Sequence, residues 1–223
     1  MNVSEAVRSR HSIRAFLDKP VPEALLREAI EIAARAPSGG NVQPWRIYVL
    51  AGAPLAAFKA RMAERLTTNP APDPLEYHVY PEHLWEPHRT WRFRCGEQMY
   101  GLVGIPREDK AQRLAWFAHN YQFFGAPAAL FAYLDRRMGP PQWSDMGMYL
   151  QNVMLLLRER GLDSCAQECW SRYNAEVRAF LDPLQELMLF CGMAIGYRDH
   201  AAPVNRLVTE RAPLEEFAKF EGF

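Results

Sequence analysis

Apolar positions recur at helical spacing early in the chain, where Leu25, Leu26, Ala29, Ile30 and Ala33 form one stripe behind Val21-Pro22-Glu23. Pro37 ends that predicted helix. The run Trp45 to Leu50 is short, β-branched and aromatic and is closed by Gly52 and Pro54, so it predicts a strand. A second helix is predicted from Pro54 to about Leu66, and a third from Arg107 to Phe124 with Leu114, Phe117, Ala118 and Tyr121 on one side. Pro127 to Leu134 reads as a buried strand. Ser144-Asp145 offers an N-cap to a long helix carrying Met148, Leu150, Val153, Met154 and Leu157, which stops at Gly161. That helix is apolar nearly all round and therefore belongs in a core or a subunit interface. An extended stretch (164–170), a helix from Asn174 to Leu181 and a strand from Leu187 to Tyr197 follow. Helices dominate, and the strands lack a regular β-α alternation, which favours an α+β layered domain over a doubly wound sheet.

Between the second and third helices the pattern breaks down. Prolines 70, 72, 74, 81 and 87 interleave with Tyr77, Tyr80, Trp85 and Trp91, so residues 69–95 read as an aromatic, proline-broken segment without helical period. Loops this long within a compact chain serve as lids, binding loops or arms around a partner. A disordered linker is the bland alternative, but linkers are poor in Trp and Tyr. The tail keeps Leu214, Phe217, Phe220 and Phe223 apolar, so it is expected to pack on another chain or on the domain's own edge.

Composition narrows the class. The 223 residues balance 26 Lys and Arg against 26 Asp and Glu, which removes the broad positive field of a nucleic-acid or anionic-membrane binder. The longest apolar runs, Gly125 to Leu134 and Leu187 to Tyr197, fall short of the roughly 20 residues of a membrane span. With no apolar leader at the N-terminus, the chain reads as cytoplasmic. Cys95, Cys165, Cys169 and Cys191 are then reduced thiols, and no His or Cys pair completes a metal-ligand set around Cys165 and Cys169.

Three segments could carry chemistry. Arg8, Arg10, His11 and Arg14 surround Ser12, and Arg10 and Arg14 are four apart, so both forks could reach one anion if that segment is helical; a solvated helix end has the same composition. The turn 36–45 sets the Asn41 and Gln43 amides after Gly39 and Gly40, a pattern suited to reading the edge of a flat heterocycle and equally found in ordinary turns. In 161–170, small residues bring backbone N–H groups to the surface beside Glu168, which could be an acid or base or merely a solvated side chain. No G-x-G-x-x-G or P-loop device occurs, and no Ser-His-Asp or Cys-His pairing suggests itself.

Taken in order, Arg10-His11-Ser12-Ile13-Arg14-Ala15-Phe16, the turn from Ala36 to Trp45, Phe124-Gly125-Ala126-Pro127, Trp143 to Met148, Gly161-Leu162-Asp163-Ser164-Cys165, Cys191 to Tyr197 and Pro203-Val204-Asn205 resemble the FMN-dependent nitroreductase family over nearly the whole chain. The resemblance implies a single domain over 1–223 with an α+β fold, a central mixed or antiparallel sheet flanked by helices, and an intertwined homodimer holding FMN in two interface clefts. The apolar helix from Ser144 would run along the dimer axis, and residues 203–223 would pack on the partner subunit.

By the same resemblance, Arg10 and His11 would meet the FMN phosphate, Ser12 the ribityl and ring region, and Arg14 the N1 and O2 end of the ring. Pro37, Ser38, Gly39, Asn41 and Gln43 would come from the other subunit. Ala166, Gln167, Glu168 and Cys169 would lie beside flavin N5, with Cys169 acting through its backbone and Glu168 ordering water. The basic residue that many relatives carry near the C-terminus is Val208 here, so Arg206, and next to it Arg211, would substitute. The implied activity is ping-pong transfer of a hydride from NADPH or NADH through the flavin to nitroaromatics or quinones. Tyr77, Tyr80, Trp85 and Trp91 would wall the substrate channel, with Trp116, Phe123 and Phe124 as alternatives. Reductive dehalogenation, flavin fragmentation and flavin binding without turnover are the competing expectations.

Overall fold

A computed structural model describes all residues 1–223. In chain order the elements are α1 (Val3–Ser9), α2 (Glu23–Ala33), β1 (Arg46–Ala51), α3 (Gly52–Thr68), α4 (His88–Leu102), α5 (Lys110–Ala118), β2 (Ala128–Asp135), α6 (Pro140–Glu159), β3 (Asp163–Gln167), α7 (Asn174–Leu181), β4 (Leu187–Gly196) and α8 (Leu214–Phe217). The four strands form one sheet in the order β1-β2-β4-β3, and every neighbouring pair is antiparallel. The fold is therefore α+β, and of the two expected sheet types only the antiparallel one occurs.

The two central strands read as continuous apolar runs because both of their faces are covered. Along β2, Ala128, Leu130, Ala132 and Leu134 point into a core formed with α2 and α6, while Ala129, Phe131 and Tyr133 enter a second core with Phe58, Phe123, Trp170 and Tyr173. In β4 the alternation slips by one residue: Ala132 pairs with Cys191 but Tyr133 with Leu189, leaving Phe190 as a bulge. Phe190 and Cys191 consequently share the α2/α6 side. Each large aromatic side chain buried this way contributes about 2–3 kcal/mol of transfer free energy.

Gly192 is required by the second core. A Cβ there would sit 2.7 Å from Trp170 Nε1, so the absence of a side chain lets the Trp170 ring lie flat against β4. Trp170 packs in turn on Phe123 (4.7 Å between ring centroids) and Phe131 (5.2 Å). This stack anchors the tight helical turns at 168–173 that leave β3.

Several expectations change. The helix expected over 107–124 ends at Ala118, and two left-handed residues, Phe123 (φ 50°) and Phe124 (φ 54°), break the turns that follow so that both rings enter the core. The long helix begins at Pro140-Pro141 rather than at Ser144. Asp145 lies inside it, buried, where its carboxylate accepts the Gly39 N–H at 3.2 Å and ties the 38–43 turn to α6. The segment 69–95 is not aperiodic to its end, since α4 starts at His88; α4 buries none of its residues, so it presents no apolar stripe for the sequence to reveal. The helix weighed around Arg8 to Arg14 lies earlier, as α1, and stops at Ser9; its Asn2 and Glu5 form a capping box.

Candidate functional site

The chain leaves α1 at Arg10 in an extended conformation, so Arg10, Ser12 and Arg14 share a face by strand period rather than by helical spacing. The fully buried Ile13 points the other way and donates its N–H to the Ser164 carbonyl at 3.0 Å, laying this segment beside β3. Asn205 clamps it from the C-terminal side. Its side-chain oxygen accepts the Arg14 N–H at 2.8 Å, and its amide nitrogen donates to the carbonyls of Ala15 (2.7 Å) and Asp199 (2.9 Å). Below, the buried Asp163 receives a bidentate pair from Arg198 (2.7 and 2.6 Å), with Arg158 at 3.6 Å. Neither Asn205 nor Asp163 stood out in the sequence as a site residue; nothing in their spacing signals these contacts.

A cavity of about 550 Å³ opens over this segment, lined by Arg8, Arg10, His11, Ser12, Arg14 and Arg211, with Gln151 and Val208 among the rest. No acid lines it. Burial and the neighbouring Arg211 both press against the charge on Arg10. His11 is shifted below the usual imidazole range by burial, then by Arg198 and Arg10. The arrangement is a set of cations converging without a counter-charge, which is the donor set of a phosphate site. Arg206 is exposed and is not part of this lining, whereas Arg211 is.

Arg14 is shared with a second cavity of about 670 Å³, whose floor is Ala166, Gln167, Glu168 and Cys169. Gln167 is committed internally: its amide donates to Asn120 O (2.8 Å) and Asn120 Oδ1 (3.2 Å), and its oxygen accepts from Trp170 Nε1 (3.4 Å). The thiols of Cys165 and Cys169 are both pushed up by burial, so they stay protonated and are poor nucleophiles. Ser164 Oγ is buried with no partner.

Glu168 faces the cavity, and the surrounding protein shifts its carboxyl above the usual range by desolvation. A raised carboxyl pKa in the folded state costs stability once the unfolded chain has lost its proton. Glu168→Gln is therefore expected to match the wild type below about pH 4, where both carboxyls are protonated, and to become the more stable protein as pH rises towards neutrality. Urea midpoints of both proteins between pH 4 and 8 check this; a pH-independent difference would mean that ionisation of Glu168 is not what burial penalises.

The remaining predicted residues divide. Pro37, Ser38, Gly39, Asn41 and Gln43 line neither cavity; Gly40, Asn41 and Gln43 hold left-handed φ values of 57°, 59° and 48°, and the Ser38 hydroxyl accepts the Gln43 N–H at 3.0 Å. Tyr80 lines the second cavity. Tyr77 turns into the protein instead, stacked on Phe190, edge-on to Trp143 and donating its hydroxyl to the bulged Phe190 carbonyl. Trp85 is exposed beside His88, and Trp91 lines a separate hollow with Thr209, Arg211 and Phe217. Phe123 and Phe124 are core residues, and Trp116 packs on His119.

Comparison with known proteins matches residues 7–197 to the Nitroreductase family. The chain is 39% identical to a 4-nitrobenzoate reductase of Pseudomonas putida over 97% of this chain and 94% of that one. It is 34% identical to a nitrobenzene nitroreductase of Ectopseudomonas oleovorans over 98% and 96%. Among solved structures, an FMN and NADPH-dependent nitroreductase NfnB from sphigopyxis sp. strain HMH superposes with a TM-score of 0.95, at 50% identity and full coverage of both chains.

Proposed function

The chain belongs to the nitroreductase family, and from that premise we propose that its two joined cavities form the two ends of one FMN site. The protein is an FMN-dependent enzyme that uses NAD(P)H to reduce nitroaromatic compounds. The observation that supports the FMN placement is that Arg14 lines both hollows, an acid-free cationic pocket on one side and a wall formed by Ala166, Gln167, Glu168 and Cys169 on the other. When bound, the flavin supplies the electron-transfer chemistry.

The chain's own residues then bind, orient and shield. Arg10, His11 and Arg211 hold the phosphate, with Arg211 taking the place expected of Arg206, and Ser12 lies towards the ribityl chain. Arg14, held by Asn205, sets a fixed positive charge where negative charge accumulates on reduction. Ala166 to Cys169 lie along the ring, with Cys169 contributing its backbone and Glu168 ordering water. The protonated thiols beneath take no part in bond making.

The 37–43 turn reaches this site from a second copy of the chain. Two features support such a homodimer: that turn lines neither cavity of its own chain, and α6 leaves Gly147 and Met148 exposed on its outer face. Exposed Phe217, Phe220 and Phe223 in the tail fit the same arrangement by packing on the partner. Residues 1–223 act as one domain, and 69–95 supply part of the channel wall through Tyr80. No helix is long and apolar enough to cross a membrane.

The test is direct. Purified protein loaded with FMN is expected to be a yellow dimer by light scattering, to bleach anaerobically with NADPH or NADH, and to regain colour on adding a nitroaromatic. A protein that takes up no FMN would overturn the reading, and a flavin that neither nicotinamide bleaches would leave a binding protein only.

A further inference from the structure

The cavity over Ala166–Cys169 carries more positive charge than the flavin needs. Besides Arg14 it is lined by Arg92 and Arg172. Its two acids do not balance them. Asp73 is already engaged by Arg65 (3.2 Å) and by the Ala175 N–H (2.9 Å). Glu168 is then the one remaining acid facing three guanidinium groups.

Arg92 is the one of these cations packed on an aromatic ring. Its guanidinium carbon lies 4.3 Å from the centroid of the Tyr80 ring, and it has no carboxylate partner. A cation over an aromatic ring is attracted by the ring's quadrupole and keeps N–H groups available to a further acceptor. Such N–H groups suit a bidentate carboxylate.

Resting on the FMN nitroreductase reading, we propose that Arg92, packed on Tyr80 and assisted by Arg172, is a carboxylate clamp that makes anionic nitroaromatics, nitrobenzoates in particular, the preferred acceptors of this enzyme. A nucleotide phosphate has similar chemistry. The adenosine 2′-phosphate of NADPH, however, is separated from the nicotinamide by the whole dinucleotide, whereas a ring carboxylate is one aromatic ring away from its nitro group. Arg92 and the 166–169 floor share one hollow, which suits the shorter span.

The test uses FMN-loaded enzyme and two readouts. The first is equilibrium binding of benzoate, which cannot be reduced, to the oxidised holoenzyme, read by perturbation of the flavin absorbance. Arg92→Gln is expected to weaken it roughly ten- to hundredfold, the range of one charge-assisted hydrogen-bonded contact, and Arg92→Lys to recover part of it. The second is steady-state reduction of 4-nitrobenzoate against its methyl ester. The wild type is expected to favour the carboxylate by tenfold or more in kcat/KM, roughly the effect of one such contact, and Arg92→Gln to collapse that ratio through KM. Equal use of acid and ester by the wild type, or a ratio that survives Arg92→Gln, would overturn the proposal. Slower flavin reduction by NADPH but not NADH in Arg92→Gln would reassign the clamp to the nucleotide phosphate. Benzoate binding that depends on Arg92 in a protein that reduces neither nitro compound would uphold the clamp and sink the nitroreductase reading instead.

Discussion

Asp163→Ala is expected to cost about 3 kcal/mol of folding stability, at the lower end of the 3–5 kcal/mol found when one partner of a buried ion pair is removed. The side chain of Asp163 is 3% exposed, and its two oxygens accept from Nε and Nη2 along one edge of the Arg198 guanidinium. Arg198 is itself only 15% exposed, so the substitution would strand a guanidinium whose charge Asp163 currently favours. The lower end applies because Arg158, the third member, is 21% exposed and can turn to water. For a chain of this size the loss corresponds to a fall in Tm of roughly 6–12 °C. The damage extends to the site, since Asp163 opens β3 and the Ser164 carbonyl next to it carries the Ile13 N–H. Urea unfolding followed by tryptophan fluorescence at one protein concentration measures the effect. A loss below about 1 kcal/mol would place this pair with surface ion pairs and remove it as the foundation of the site.

That foundation was hidden in the sequence, and the reason is distance along the chain. Asp163 and Arg198 are 35 positions apart, and Arg14 and Asn205 are 191 apart, so no periodicity or local motif connects them. The central strands were legible because burial on both faces writes itself as an unbroken apolar run, as from Ala128 to Leu134. The bulge at Phe190 was not, because Leu-Met-Leu-Phe-Cys carries the same apolar character in either register. α4 escaped for the opposite reason: a helix that buries no residue leaves no stripe, and with it went Arg92 and Met99, which line the second cavity. At the start of α6, Ser144-Asp145 imitates an N-cap, while the stronger signal was Pro140-Pro141 just inside the helix. The residues of the 37–43 turn were readable as a recognition element, but they line neither cavity of their own chain. Nearness to Val208 put Arg206 ahead of Arg211 in the sequence. The turn at 203–206 buries Val204 and Asn205 and leaves Arg206 facing solvent, and the following stretch brings Arg211 back to Arg10.

Arg10→Ala is expected to weaken FMN binding roughly ten- to hundredfold, the equivalent of about 1.5–3 kcal/mol for hydrogen bonds to a charged group. Riboflavin separates the phosphate contribution from every other cause. It lacks the phosphate, so the preference for FMN over riboflavin should shrink by the same factor, whereas damage to the ring pocket would weaken both ligands together. Arg211→Ala should act in the same direction. The double variant should lose less than the sum, because each guanidinium suffers the other's charge in the empty pocket. That repulsion gives the prediction a second sign. Without flavin, Arg10→Ala relieves the crowding of two cations with no acid beside them, so the flavin-free variant should unfold at a urea concentration equal to or higher than that of the flavin-free wild type. His11 follows the same logic: burial, Arg198 and Arg10 hold it neutral, and a bound phosphate reverses the field, so FMN binding should take up a proton and tighten as pH falls through the range where His11 titrates in the complex. Titration of flavin-free protein with FMN and riboflavin at pH 6 and 8 reads the affinities, and urea unfolding of the flavin-free proteins reads the stabilities. An Arg10→Ala protein that loses FMN and riboflavin equally, or becomes less stable without flavin, would show Arg10 to be part of the scaffold rather than the phosphate site.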